Sequence, residues 1–113
     1  MSDLFLAEFE MYVMLAVTQL GDEAYGLAIR KCIESRTDRQ VSVGALYTTL
    51  ARLEAKGLLV MKDPEADSGR RGRPRRYCDM TEDGRSAVRH SLSMLGRMAD
   101  GAPLETALGG TGK

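Results

Sequence analysis

The stretch from Val41 to Gly57, VSVGALYTTLARLEAKG, constrains this chain more than any other. Val43, Leu46, Leu50 and Leu53 recur at spacings of three, four and three. At about 100° per residue, that gathers them on one narrow stripe of an α-helix. The stripe is predicted to face a core. Gly44, Thr48, Ala51 and Arg52 then take the opposite side, with Ala45 and Tyr47 on the flanks. The outward face is therefore small and polar in its first half and cationic further on, a surface suited to entering a groove. Ser42 is placed to cap the free amides of the first turn, and Gly57, just after Lys56, suits the left-handed residue that ends a helix.

Upstream, Leu4 to Leu20 reads as a first helix, with Phe5, Phe9, Tyr12, Val13, Ala16 and Leu20 at helical spacings, Asp3 as its cap and Gly21-Asp22 as its stop. Met11, Met14 and Leu15 lie beside that stripe. A helix wetted on one side would not need them, so this helix is expected to pack on its own domain and also on a partner subunit. A second helix is predicted from Glu23 or Ala24 to Ser35, with Leu27, Ile29, Cys32 and Ile33 as its apolar positions. Gly26 inside it costs up to about 1 kcal/mol relative to alanine, which implies either a close approach by another helix or a later start. Gln40 to Ser42 leaves room only for a short β-bridge before the central helix. Two short helices followed by one with a polar outer face make a helix-turn-helix arrangement.

Beyond Gly57 the pattern changes. LLVMK (Leu58 to Lys62) and RRYCDM (Arg75 to Met80) read as the strands of a hairpin whose long tip, DPEADSGRRGRP, carries two glycines and two prolines. Five of the seven residues from Arg70 to Arg76 are arginine. In isolation such a cluster reads equally as a solvated loop, but its position just after the polar-faced helix favours a wing held against DNA phosphates or in a narrow minor groove. Net charge is zero, yet Arg36 to Arg76 holds ten basic against five acidic residues and the remainder six against eleven. This +5 to −5 asymmetry points to an anionic partner for the central segment. Thr81 then opens a fourth helix, with Glu82 and Asp83 favourable to the helix dipole and Gly84 leaving its boundary open. Val88, Leu92, Leu95 and Ala99 form a seam of about two heptads, with Met94 and Met98 alongside. A seam so short implies packing with the first helix of another subunit. From Gly101 onward, four glycines and a proline in thirteen residues read as a flexible tail with at most one helical turn at Leu104 to Leu108.

The 113 residues suit one domain, and 43% apolar content supports a modest core rather than an enclosed cavity of enzyme size. His90 is the only histidine and has no paired nucleophile; no metal-ligand cluster or phosphate-binding glycine loop accompanies it. The expectation is no catalytic residue, no metal and no cofactor. Cys32 and Cys78 lack CxxC spacing and read as reduced, structural thiols. No apolar run reaches the eighteen or more residues of a membrane span and the acidic N-terminus lacks signal-peptide order, so no membrane partner and a cytoplasmic location are expected.

In this order and spacing, several pieces together resemble the PadR family of winged helix-turn-helix transcriptional regulators, in its small class with a single C-terminal dimerisation helix. They are Tyr25-Gly26, VSxGxLYxxLxRLExKGLL from Val41 to Leu59, GRPRRY from Gly72 to Tyr77 and TEDGR from Thr81 to Arg85, within a resemblance spanning roughly Glu8 to Leu95. One departure is Thr48, where the family commonly has proline after its LY. Threonine keeps a backbone donor and adds a hydroxyl on the outer face. The resemblance implies a homodimer joined through the last helix and the partner's first helix. It also implies third helices in successive major grooves of a palindromic operator, wings on the flanking DNA, and repression relieved by a small apolar or aromatic effector. Some relatives stack such ligands on a tryptophan of the last helix; this chain has no tryptophan.

The expected fold class is therefore mainly α with a small β-hairpin. A winged helix-turn-helix DNA-binding domain would occupy residues 1–80, a dimerisation helix 81–100 and a flexible tail 101–113. Double-stranded DNA is expected to meet Ser42, Gly44, Tyr47, Thr48, Arg52, Arg70, Arg71, Arg73 and Arg75; the dimer is expected to use Phe5, Phe9, Tyr12, Val88, Leu92, Leu95 and Ala99. The alternative is a winged-helix protein-interaction module without sequence-specific DNA binding, which would need neither five clustered arginines nor a small polar outer face.

Overall fold

The structure is a computed structural model and describes residues 6–62 and 76–103. Helix α1 (Glu8–Leu20) leads through a 3-10 turn (Gly21–Glu23) to α2 (Gly26–Thr37) and α3 (Val43–Ala55). Strands β1 (Leu59–Lys62) and β2 (Tyr77–Met80) form an antiparallel hairpin, and α4 (Glu82–Ala99) follows. The mainly helical fold with its small hairpin is as the sequence predicts, although several boundaries move for identifiable reasons.

Helix α1 starts at Glu8 rather than Leu4. The Glu10 carboxylate accepts the Ala7 N–H at 3.0 Å, which makes Ala7 the N-cap; Asp3 and Phe5 lie outside the described residues. Met11 and Met14 are buried in the subunit's own core with Val13, Ala16 and Val17, so the second apolar face of this helix is largely occupied within the subunit. Phe9, Tyr12 and Leu15 are left half-buried at its margin.

Helix α2 starts at Gly26 and runs to Thr37, later at both ends than the pattern of apolar residues indicates. The reason lies elsewhere in the chain. The Ala24 carbonyl accepts the Cys78 N–H at 2.7 Å and Tyr25 bridges Tyr77. Residues 24 and 25 are thus extended and held by the hairpin, and this bridge replaces the one expected at Gln40 to Ser42. Ile29 and Ile33 are buried and Cys32 half-buried, whereas Leu27 is exposed.

In α3, Leu46, Leu50 and Leu53 fill the core, joined by Thr49. Val43 does not face inward: it is 51% exposed because it occupies the first helical position, on a turn that overhangs the core. The predicted ends hold. Ser42 Oγ accepts the Ala45 N–H at 3.0 Å, and Gly57 takes φ 78°, in the left-handed region. Leu58 N–H then bonds back to the Leu53 carbonyl at 3.0 Å, which aims the chain into β1.

The hairpin pairs Leu59 with Met80 and Lys62 with Tyr77. Leu59 and Cys78 turn inward, Val60 and Asp79 outward, the alternation of a half-buried sheet. Thr81 joins three elements. Its hydroxyl donates to the Gly57 carbonyl at 2.7 Å and accepts the Gly84 N–H at 2.9 Å, while its own N–H meets the Leu58 carbonyl at 3.1 Å. Gly84 is explained by closeness: a Cβ there would overlap the Leu58 carbonyl oxygen and crowd Met80 and Met14. The first turns of α4 bury Gly84, Ala87 and Val88 in the common core, and the remainder projects beyond it.

Candidate nucleic-acid interface

The turn between α2 and α3 is held from both sides of one residue. Arg30 Nε donates to the Val41 carbonyl at 3.0 Å, and Glu34 Oε2 accepts the Val41 N–H at 2.9 Å. Arg30 and Glu34 are four apart, on one face of α2. Together they satisfy the backbone of the residue that leads into α3 and set the angle between the two helices. Asp38 (φ 60°) caps α2 in the left-handed conformation, its N–H on the Glu34 carbonyl at 3.1 Å. Neither Arg30 nor Glu34 emerges from the apolar pattern; their i, i+4 spacing is the only sequence signal, and it reads as an ordinary solvated pair.

On α3 the exposed side consists of Gly44, Thr48, Ala51 and Ala55, with Ser42 and Ala45 at its N-terminal end. A Cβ built at Gly44 meets nothing within 4 Å, so this end of the helix is open. The outer face carries small residues and no formal charge at its centre. Arg52 is exposed but lies to one flank, its Nη1 3.9 Å from Glu10 Oε2. Tyr47 lies on the other flank with its hydroxyl end packed against Gly26, where a Cβ would overlap it. The YG and LY pairs noted in the sequence therefore meet, and Gly26 answers both to an extended segment before it and to a close neighbour beside it. Ser42, Gly44, Tyr47, Thr48 and Arg52 share one surface. Arg70, Arg71, Arg73 and Arg75 lie outside the described residues.

The base of the hairpin is fixed to the helix-turn-helix unit. Tyr25 and Tyr77 meet edge to face at 5.6 Å between ring centroids. Across the strands Lys62 Nζ sits 2.9 Å from Asp79 Oδ2, and its hydrogen bond holds the Asp79 carboxyl below the usual carboxylate range. Burial pushes the Cys78 thiol up to about 11, against a partial offset from the Arg76 charge; its sulfur lies 3.5 Å from that of Met61. A thiol so protonated is packing material rather than a nucleophile.

The residues expected in a dimer fall into two groups. On α4, Leu92, Leu95 and Ala99 are exposed, with Leu95 63% and Met98 81% accessible, while Val88 is buried in the subunit core. On α1, Phe9 and Tyr12 are half-buried and support the Arg39 guanidinium, which lies 5.3 Å and 5.6 Å from their ring centroids and 3.3 Å from Glu8 Oε1. A cleft of about 460 Å³ runs between the two helices, lined by Leu6, Met11, Tyr12, Leu15, Leu92 and Leu95, with Glu8 at its edge. Among the described residues no group of three or more His, Cys, Asp or Glu could hold a metal ion, and no helix is long and apolar enough to cross a membrane.

A capped helix with an open outer face, set by a clamped turn and followed by an anchored hairpin, defines a winged helix-turn-helix DNA-binding protein. A model of the transcriptional regulator PadR-like family matches residues 14–90, and the chain belongs to that family. It is 44% identical over 80 residues to Transcriptional regulator Rv3488 of Mycobacterium tuberculosis (strain ATCC 25618 / H37Rv), covering 68% of this chain and 71% of that protein. A PadR family transcriptional regulator from Eggerthella lenta DSM 2243 superposes with a TM-score of 0.62 at 32% identity, covering 83% of this chain and 81% of that one. The crystal structure of a PadR family transcription regulator from hypervirulent Clostridium difficile R20291 gives a TM-score of 0.73, covering 91% of this chain and 100% of that one; at 21% identity the likeness concerns the fold.

Proposed function

We propose that this DNA-binding regulator acts as a cytoplasmic homodimeric repressor, without catalytic activity, on a palindromic operator. The observation that carries the reading is the outer face of α3, where Gly44, Thr48 and Ala51 stand exposed on a helix whose other side buries Leu46, Thr49, Leu50 and Leu53 in the core. Thr48 and the backbone around Gly44 reach base edges, Ser42 and Tyr47 approach phosphates beside them, and Arg52 meets the backbone from its flank. The arginines of the hairpin tip, Arg70, Arg71, Arg73 and Arg75, supply the sequence-independent part of the affinity. Residues 1–80 form the DNA-binding unit, 81–100 the dimerisation helix and 101–113 a tail.

The exposed seam of Leu92, Leu95 and Ala99 supports dimerisation, with Phe9 and Tyr12 of the partner's first helix meeting it, Phe5 contributing from the sequence ahead of that helix, and Val88 at its root. A small apolar or aromatic effector entering the α1–α4 cleft would separate those helices and release DNA. Gel-shift titration with the DNA upstream of the protein's own gene, against a scrambled duplex, tests the reading. Preferential retardation of the upstream fragment is expected, and equal retardation of both would overturn it.

A further inference from the structure

Glu10 is the one charged residue among the buried described residues, only 4% exposed. It lies in the first turn of α1, yet its partners come from the far end of α3. Lys56 Nζ donates to both carboxylate oxygens, at 3.0 Å and 3.3 Å, and the Arg52 guanidinium stands 3.9 Å away. The Ala7 N–H supplies a further donor at 3.0 Å. A carboxylate removed from water must be paired or it destabilises the fold, so Lys56 is held firmly. Lys56 itself is only partly exposed, whereas Arg52 is half exposed and too far from Glu10 for a hydrogen bond.

We infer that Glu10 is a specificity-determining positioning residue that holds Lys56 away from the DNA phosphates. The inference rests on the reading of α3 as the DNA-contacting helix. Lys56 is the C-cap of α3, on the flank that faces α1. Its four-carbon stem gives an unrestrained ammonium several ångströms of reach around that flank. Every cation that reaches a phosphate strengthens binding to any sequence alike and dilutes the discrimination made at base edges. By engaging Lys56 from beneath, Glu10 leaves the middle of the recognition surface uncharged and confines the phosphate-binding charge to Arg52 and the hairpin. Specific binding then depends on the fit of a small, neutral helix face.

The test compares wild type, Glu10→Gln and the doubly neutral Glu10→Gln/Lys56→Met in fluorescence-anisotropy titrations at several salt concentrations, on the operator fragment upstream of the protein's own gene and on scrambled duplex. Glutamine keeps the acceptor for Ala7 but loses the charge that holds Lys56. The single variant is expected to bind scrambled DNA more tightly, with a slope of log K against log salt steeper by about 0.9 for each additional phosphate neutralised. Its operator-to-scrambled ratio falls, and the double variant returns to the wild-type slope. A single variant whose slope is unchanged or shallower, with both DNAs weakened in parallel, would make Glu10 a structural residue only and overturn the inference. If Glu10→Gln fails to fold, Lys56→Ala alone decides: an unchanged slope supports restraint, and a slope flatter by about 0.9 shows that Lys56 already touches phosphate and overturns it. Failure of wild type to prefer any operator sinks instead the reading on which this one rests.

Discussion

Replacing Gly84 by alanine is the sharpest test of how α4 is seated. Alanine is ordinarily the better helix former, by up to about 1 kcal/mol. At Gly84 the added Cβ would overlap the Leu58 carbonyl oxygen and come within 2.8 Å of Met80 Cγ and 3.1 Å of Met14 Cε. Methionine side chains can yield, but the Leu58 carbonyl cannot. It accepts the Thr81 N–H at 3.1 Å, and Thr81 ties the end of α3 to the start of α4. Relief therefore requires lifting α4 off the hairpin, an overpacking cost of about 1 to 3 kcal/mol that exceeds the propensity gain. We expect Gly84→Ala to be destabilised by about 1 to 2 kcal/mol, or a fall in Tm of several degrees. Gly44→Ala is the matched control. Its Cβ meets nothing within 4 Å, so the free protein should be unchanged or gain up to about 1 kcal/mol. Urea unfolding at one fixed protein concentration, which keeps assembly constant, gives both values. A Gly84→Ala variant as stable as wild type would refute this seating of α4.

Gly26→Ala should cost less than Gly84→Ala, because the obstacle is the movable end of Tyr47; on a Tyr47→Ala background the same change should become neutral or stabilising, as paired urea titrations would show. Thiol labelling of the native protein at pH 8 should modify Cys32 and spare Cys78, whose thiolate fraction there is about one in a thousand. Because the folded Cys78 pKa is raised, its contribution to stability is fully present below the unfolded thiol pKa and is lost as pH rises towards about 11, visible as a falling urea midpoint. Leu92→Glu with Leu95→Glu should yield monomers that retain the fold and lose operator binding; sedimentation showing a wild-type monomer at micromolar concentration would contradict the dimer.

What could be read from the sequence was chemistry acting over a few residues. Ser42, Gly57 and Thr81 cap or end helices through bonds within three or four positions, so their residue types announce them. The hairpin showed itself through two β-compatible segments and the turn residues between them. The start of α2 did not, because Ala24 and Tyr25 are held extended by Cys78 and Tyr77, more than fifty positions away. Val43 matched the apolar stripe yet overhangs the core, since periodicity gives direction around a helix but not where the neighbouring element stops. Glu10 carried no signal in the sequence, because its partner Lys56 lies 46 residues on. Arg30 and Glu34 serve Val41 across the turn, a role visible only once the two helices are placed. The fold follows from local pattern; the parts that orient the recognition surface are long-range pairings of charged residues with backbone or with one another.

The most direct test of DNA recognition by α3 and the hairpin is affinity against salt for operator and scrambled duplex, in wild type, Thr48→Ala and a variant with Arg71, Arg73 and Arg75 replaced by alanine. The triple variant is expected to weaken on both DNAs, its slope of log K against log salt flatter by about 0.9 for each phosphate no longer neutralised. Thr48→Ala should shift preference among operator variants by about 1 to 3 kcal/mol at particular base pairs and leave the slope nearly unchanged. An unchanged slope in the triple variant, together with an unchanged operator preference in Thr48→Ala, would contradict the assignment of this surface to DNA.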